Sequence, residues 1–476
     1  MKTNRVARAA LAAGLSASAV VAQNCQKVLV PSYNFPNVNS GWQVQLVLGG
    51  LTKPRSIEFD STGALLVVES GKGITRHRFT DDGGTCLVET DSTVLISQTS
   101  LNHGLAFSND GRTLYASTAE AVYAWQYDAT QGVSAVPRAI VTGMANDDLV
   151  TRTLLISKKS PGNLIISRGS AEAKMAQAAV LSSGLSQVRV FDLNNFTTTS
   201  KAYNYNTDGV VLGWGLRNSV GIGEHPVTGG IYGVENSVDG VTRNGKDIHE
   251  NNPGEELNYF GVLGTSSVRG QNYGYPHCFA VWDVSEIPNN DGLNVGDQFA
   301  IQENNTLTDE TCASDYVAPR LTFPAHYAPL DIKFNEGGSE AYVSFHGSFD
   351  KTDPVGYSVA VIPFNPTTGE PTGARDHHDV FTEIMTNPDH TKCPSNCFRP
   401  AGLAFDAAGR LWMTSDTTGE IYILQKKSGT PSTTASGTIV TATGRPSGAG
   451  KSLGWGVETG VLGAVSVILG GLFVLL

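Results

Sequence analysis

Leu101-Asn102-His103-Gly104-Leu105-Ala106-Phe107-Ser108-Asn109-Asp110-Gly111-Arg112-Thr113-Leu114-Tyr115-Ala116-Ser117-Thr118 is the stretch whose reading decides the fold. Residues 104–107 are short and apolar and predict a strand. Ser108-Asn109-Asp110-Gly111 predicts a tight turn, with Gly111 supplying the positive φ. Residues 113–117 carry apolar and aromatic side chains and predict the returning strand. A hairpin brings its two ends back to one side, so His103 and Thr118 share a face.

The plan recurs. Residues 56–69 and 402–416 repeat it closely, turning at Gly63 and Gly409. Weaker copies occupy residues 155–170 around Pro161-Gly162-Asn163, 221–236 around Gly229-Gly230 and 331–346 around Gly337-Gly338. Six hairpins spaced by about fifty residues, some with long insertions, predict an all-β fold, a six-bladed β-propeller. Residues 42–48 largely alternate, and residues 420–424 read as the last strand. Pairing of the two would close the ring and remove its free edges. A long insertion rich in Asn, Gly and Pro runs from Asp239 to Pro324, and ordered long loops tend to carry function.

The chain has 476 residues, of which 53 are Gly and only 16 % are charged, a turn-rich composition. Its formal net charge of −11 argues against nucleic acid as a partner, because phosphate binding needs a basic face. Residues 1–22 carry Lys2, Arg5 and Arg8 before an apolar run and read as a signal peptide. The propeller then spans 23–427, a Ser/Thr/Gly/Pro linker 428–451, and an apolar segment 452–476. Small residues at 447–450 ahead of that segment suit a lipid-anchor attachment signal, with a plain membrane span as the alternative. The chain is therefore expected at the cell surface, tied to the membrane by a C-terminal lipid anchor. Six cysteines fit no metal or haem spacing. The pairing expected is Cys25–Cys86, Cys278–Cys312 and Cys393–Cys397, in an oxidising compartment. Asn195 and Asn304 begin glycosylation sequons.

Arg55, His103, Arg152, Arg217, Asn218, Asp331 and Arg399 stand just before inner strands. Glu69, Thr118, Arg168, Glu235, Asn236, His346 and Asp416 stand just after returning strands. Hairpin geometry puts all of them on one rim around the axis. Guanidinium groups facing each other need carboxylate partners or an anionic ligand. Glu69, Glu235, Asp331 and Asp416 are the available partners, which leaves open an ion-paired structural rim. The functional reading is a pocket for a multiply anionic ligand, with His103 as a general base. A second constellation, Glu235-Asn236-Ser237-Val238-Asp239 and Asn252-Pro253-Gly254-Glu255-Glu256-Leu257-Asn258, offers oxygen ligands on flexible loops, suited to calcium or to a plain solvated turn.

Leu101-Asn102-His103-Gly104, Gly213-Trp214-Gly215-Leu216-Arg217-Asn218, the run from Asn252 to Asn258 with Gln271-Asn272-Tyr273-Gly274-Tyr275-Pro276, and Phe398-Arg399-Pro400 together resemble the fungal pyrroloquinoline-quinone (PQQ)-dependent pyranose dehydrogenases. The resemblance covers residues 28–427 and implies a six-bladed propeller with PQQ on its axis beside Ca²⁺. It implies that His103 takes the sugar hydroxyl proton. Arg217 and Asn218 would bind the cofactor and polarise its carbonyl, and Arg399, with Arg55, Arg168 and His346, would hold its carboxylates. It places calcium near Asn236 and Ser237, with Glu255 and Glu256 in the acidic segment nearby. Trp214, Tyr275 and Trp282 are candidates for stacking on the sugar, or for the core. The substrate implied is a pyranose, and the acceptor an external quinone, cytochrome or copper oxygenase. A calcium-dependent lactone hydrolase and a non-catalytic glycan-binding propeller are the alternatives on this architecture. The sequence argues against a nicotinamide enzyme, since Gly213-Trp214-Gly215 has no third glycine and no βαβ unit around it.

Overall fold

Alternating short apolar runs and Gly-centred turns build six antiparallel sheets around one axis. The computed structural model describes residues 25, 27–133, 136–170, 174–265, 270–427 and 438–441. The signal-peptide and anchor expectations fall outside these residues, as does nearly all of the linker.

Blade 1 is Pro54–Phe59, Leu65–Glu69, Gly73–Asp81 and Leu87–Ile96. Blade 2 begins Leu105–Phe107 and Thr113–Ser117, the hairpin of the opening stretch, and continues with Val122–Asp128 and Arg138–Thr142. Blade 3 is Leu154–Ile156, Asn163–Arg168, Gln187–Asp192 and Val210–Trp214; blade 4 is Ser219–Glu224, Gly230–Glu235, Glu255–Val262 and Leu321–Phe323. Blade 5 is Pro329–Phe334, Glu340–Phe345, Ser358–Pro363 and Thr382–Thr386. Blade 6 takes Pro400–Phe405, Leu411–Ser415 and Glu420–Lys426 from the end of the domain and Trp42–Leu48 from its start. The expected closure is observed: Trp42 pairs with Lys426 and Leu46 with Tyr422. The inner strands of blades 1 to 6 touch in sequence, and the sixth meets the first. Short segments lengthen several blades, among them Lys27–Val30 and, parallel to it, the backbone of Thr438–Thr441 from the linker region.

The insertion differs from its expectation. Residues 239–324 contain the third and fourth strands of blade 4, so part of the stretch is sheet rather than loop. Its turn-forming residues mask the apolar positions Leu257 and Phe260. The remainder includes two two-stranded ribbons, Thr242–Arg243 with Lys246–Asp247 and Cys278–Ala280 with Gln298–Ala300, and the helix Asp309–Asp315. The disulfides are Cys25–Cys86, Cys278–Cys312 and Cys393–Cys397, as expected.

The blades are joined by packing and by one recurring polar stitch. Trp412 of blade 6 packs edge-on against Phe59 and Phe79 of blade 1, at 5.2 and 5.1 Å between ring centroids. A hydroxyl on the second strand donates to a carbonyl of the next blade's inner strand: Ser117 to Arg152, Ser344 to Ala401 and Thr414 to Arg55. Ser117 and Thr414 also accept from the amides of Gly104 and Gly402 in their own blades. A Cβ at Gly104 would lie 2.2 Å from the Arg152 carbonyl oxygen, and one at Gly402 would lie 2.3 Å from that of Arg55. These glycines are required by the close approach of neighbouring inner strands. The stitch fixes the azimuth of each blade and so aims the rim residues.

Candidate active site

At the end of the barrel where inner strands begin and second strands finish, blade 1 and blade 6 bring opposite charges together. Arg55 Nη1 lies 2.5 Å from Asp416 Oδ2, and His346 Nε2 donates to Asp416 Oδ1 at 2.9 Å. Arg399 donates from Nε to the His346 carbonyl (3.0 Å) and from Nη2 to that of Gly347 (2.7 Å). All four side chains are buried or nearly so. Of the four carboxylates expected as partners for the rim, only Asp416 bridges rim cations. Glu69 is taken by the Thr52 amide, Lys72 and Thr75; Glu235 accepts from the Arg217 amide; Asp331 holds Lys333 and the Leu403 amide.

His103 is tied on both sides. Arg55 Nε–H donates to its Nδ1 at 3.2 Å, and its Nε2 lies 3.1 Å from Thr153 Oγ1, whose hydroxyl in turn donates to the Val220 carbonyl. An arginine nitrogen can only donate. The hydrogen of the neutral ring is therefore on Nε2 and the lone pair on Nδ1. Burial, reinforced by Arg55, pushes the His103 pKa well below 6.5. His346 falls to about 4 by burial and the nearby Arg399, so it too is neutral, with a bare Nδ1 opposite the proton given to Asp416. Arg55, Arg399 and His346 hold Asp416 ionised far below the usual carboxylate range despite its burial.

The loop from Gly347 to Phe349, directly after His346, forms one wall of a small cleft. The opposite wall is Arg217, Asn236, Ser237, Asp239, Glu255 and His326. Arg217 Nη1 donates to the Ser237 carbonyl (2.5 Å) and Nη2 to Asp239 (3.2 Å). Asp239 also faces His326 Nδ1 at 3.4 Å. Glu255 accepts from the amides of Ser237 (2.7 Å) and Ala328 (3.2 Å). Arg55 Nη2, Asn218 Nδ2, His346 Nδ1 and Asn236 Oδ1 are buried rim atoms with no hydrogen-bond partner among the described residues; Arg152 Nε and Arg168 Nε are also unpaired, but their other nitrogens bond loop carbonyls. Buried polar atoms left unpaired are costly, so their convergence on one rim points to a bound polar ligand.

Other expected residues lie elsewhere. Arg168 bonds Ala145, Gly184 and Asn206 and sits over the Tyr205 ring, away from the Asp416 group. Arg152 folds back onto the carbonyls of Met144, Leu149 and Thr151. Glu256 follows Glu255 on a strand and so faces the other way, toward Asn258 and its cross-strand neighbour Glu235. Trp214 bonds the Gly270 carbonyl, Tyr275 is in the core and Trp282 stacks on His378. The aromatic side chain lining the cleft is instead Phe349, 62 % exposed. Thr153, His326 and Phe349 were not among the residues singled out from sequence, and Asp239 entered only as the last residue of the proposed calcium run. Thr153 directly follows the rim residue Arg152 and Phe349 lies three residues after His346, whereas His326, just beyond the insertion, carries no local signal.

Residues 36–427 match the sequence family described as TrAA12-like. A pyrroloquinoline quinone-dependent sugar dehydrogenase of Hypocrea jecorina is 48 % identical over 410 residues, covering 85 % of this chain and 93 % of that protein. The chain belongs to the TrAA12-like family. A pyrroloquinoline quinone-dependent pyranose dehydrogenase of Coprinopsis cinerea is 38 % identical across 85 % of this chain, which spans 56 % of that longer relative. Among solved structures, the calcium structure of a Trichoderma reesei enzyme of carbohydrate-active family AA12 superposes with a TM-score of 0.81 at 49 % identity, covering 84 % of this chain and 99 % of that one. The holo PQQ domain of the Coprinopsis cinerea pyranose dehydrogenase superposes at 0.78 with 36 % identity, covering 84 % and 100 %.

The buried acids give this TrAA12-like protein a measurable pH dependence. Burial raises Glu255 and Glu256 to about 7. His326 is also raised: burial opposes its charge, but Asp239, the His249 carbonyl and Glu255 outweigh it. In all three the folded state holds its proton at a higher pH than the unfolded chain, so the stabilisation is present at low pH and lost as pH rises through the folded pKa. The depressed histidines, His103 and His346, act in the opposite sense, chiefly below 6.5 and fading towards pH 8. In chelator-treated protein, urea stability is expected to fall between pH 6.5 and 8, by about 1 kcal/mol for each of the two carboxylates. A flat or rising profile in that window would contradict the burial of these acids.

Proposed function

We propose that this protein is a PQQ- and calcium-dependent sugar dehydrogenase, oxidising a pyranose hydroxyl and passing the electrons to an external quinone, cytochrome or copper oxygenase. The observation that carries the reading is the rim of unpaired buried atoms between Arg55, Asn218, His346 and Asn236, set among guanidinium groups. A planar tricarboxylate supplies acceptors for Arg55 Nη2 and Asn218 Nδ2 and negative charge for Arg217 and Arg399. His346 Nδ1, a bare lone pair, would take a proton to meet a ligand carboxylate. The residues therefore fit PQQ. Calcium is an oxygen-seeking cation of high coordination number. Asn236 Oδ1, the Ser237 carbonyl and the Glu255 carboxylate border the cleft and would hold it together with ligand carboxylates, whereas Glu256 faces away.

When bound, PQQ supplies the two-electron acceptor for the hydride of the sugar C–H bond. His103 accepts the hydroxyl proton at Nδ1 once Arg55 turns its donors to the ligand, and Thr153 keeps the ring tautomer and orientation fixed. Arg217, held by Asp239 and the Ser237 carbonyl, presents a fixed positive charge to the reacting region, so little reorganisation is needed. Arg168, bonded to Ala145, Gly184 and Asn206, ties these segments of blades 2 and 3 together rather than touching the ligand. A lactone hydrolase would have no use for this crowd of cations.

The deciding experiment loads the full chain with PQQ and calcium and follows dye reduction with a panel of aldoses. Calcium-dependent turnover is expected; PQQ binding with no sugar oxidised would overturn the dehydrogenase reading. Three disulfides support folding in a secretory compartment. Asn195 and Asn304 are exposed. Protein secreted by a fungal host is expected to lose mass on endoglycosidase treatment, and an Asn195→Gln/Asn304→Gln variant to show no such loss.

A further inference from the structure

The loop before Arg399 carries a feature that the cleft chemistry does not use. Cys393 and Cys397 close a ring only four residues apart in sequence. So short a loop removes little chain entropy, and this bond is therefore the least able of the three to stabilise the whole fold. It is nevertheless packed against one partner, the fully buried Tyr357, in a small cluster of its own.

Tyr357 connects that cluster to the cleft in three ways. Its hydroxyl donates to the Ser348 carbonyl. Its ring lies against Gly347, where a Cβ would stand 2.3 Å from the ring, and where φ is +88°. The Arg399 guanidinium lies over the same ring, 5.6 Å from its centroid. Asn387 then ties the backbone of the two sides, donating to the carbonyls of Tyr357 (3.2 Å) and Phe398 (3.0 Å). Arg399 closes the circuit through the carbonyls of His346 and Gly347.

We propose that the Cys393–Cys397 disulfide and the Tyr357 ring act as a strut that positions Arg399 and the His346–Ser348 loop, and thereby sets cofactor affinity. The disulfide and Tyr357 are positioning groups; neither touches the reacting atoms. The proposal rests on PQQ being the ligand of the cleft, but its structural half stands apart from that reading. Removing the bond frees residues 393–397 to leave Tyr357, which lets the ring and the loop on top of it move.

The test compares the full-length protein with its Cys393→Ser/Cys397→Ser variant and with Tyr357→Leu and Tyr357→Phe. Hydrogen exchange of the metal- and cofactor-free proteins reads the strut directly. The His346 and Gly347 amides, bonded to the carbonyls of Ala328 and Tyr327, are expected to exchange about tenfold faster in the double-serine variant, while blade-core amides do not change. PQQ titration reads the consequence: Kd is expected to rise about tenfold in the double-serine and Leu variants, and Tyr357→Phe, which keeps the ring, to recover most of it. Unchanged exchange at His346 and Gly347 would overturn the strut. Faster exchange with an unaltered Kd would overturn its role in affinity. If the wild-type protein itself fails to bind PQQ, the affinity role fails along with the functional reading, while the exchange data still decide the strut.

Discussion

Asp416→Asn is expected to cost the ligand-free protein about 3 kcal/mol, the scale for removing one partner of a buried ion pair. Among the described residues the carboxylate is the only acid bridging the Arg55–His346–Arg399 group, at 2.5 Å from Arg55 and 2.9 Å from His346. Because His346 is neutral, the variant leaves two guanidinium groups buried with no anion between them. An amide can still accept one hydrogen bond but cannot offset their charge. A tricarboxylate ligand can, and the stability gap between variant and wild type is therefore expected to narrow when PQQ is saturating. Urea denaturation with and without PQQ makes the comparison. An unchanged midpoint without ligand would show that solvent, not Asp416, neutralises the rim. A gap of the same size with ligand would show that the ligand's charge sits elsewhere.

Asp416 also illustrates what could be read from the chain. Its place on the rim follows from the hairpin of residues 402–416, since turn residues and apolar alternation are local signals. The same locality made the six blades, the alternating closing strand and the two shorter disulfides legible. That Asp416 alone bridges rim cations depends on blade 6 closing against blade 1, a contact between residues 361 positions apart. Side-chain reach is likewise invisible in sequence. Arg152 and Arg168 sit at the expected ends of their strands, yet their long stems let the guanidinium groups bond loop carbonyls instead of facing the axis. Glu255 and Glu256 look like a flexible acidic loop because Pro253-Gly254 precedes them. In the fold they start a buried strand, and strand alternation separates the two carboxylates. His326 reaches the cleft from beyond the insertion, so only the folded chain pairs it with Asp239.

His103→Ala is expected to lower kcat about a thousandfold, the middle of the range for a positioned general base, while PQQ affinity changes less than about threefold. The distinction follows from the ring's contacts. Nδ1 is the lone-pair nitrogen, and it accepts from Arg55 Nε, so it is not itself one of the unpaired rim atoms. His103 thus has a site for the substrate proton without being one of the groups that would anchor the ligand. Its depressed pKa fixes the pH behaviour as well. A base must be neutral to act, and burial beside Arg55 keeps His103 neutral well below 6.5, so the acid limb of kcat/KM is expected below that value. The second neutral histidine gives the control. His346 also has a bare Nδ1, but it lies among the rim atoms and is braced by Asp416. His346→Ala is therefore expected to weaken PQQ binding first. Full turnover in His103→Ala, or a loss of kcat in His346→Ala with cofactor affinity intact, would move the proton-accepting role from blade 2 to blade 5 and with it the face from which the sugar approaches.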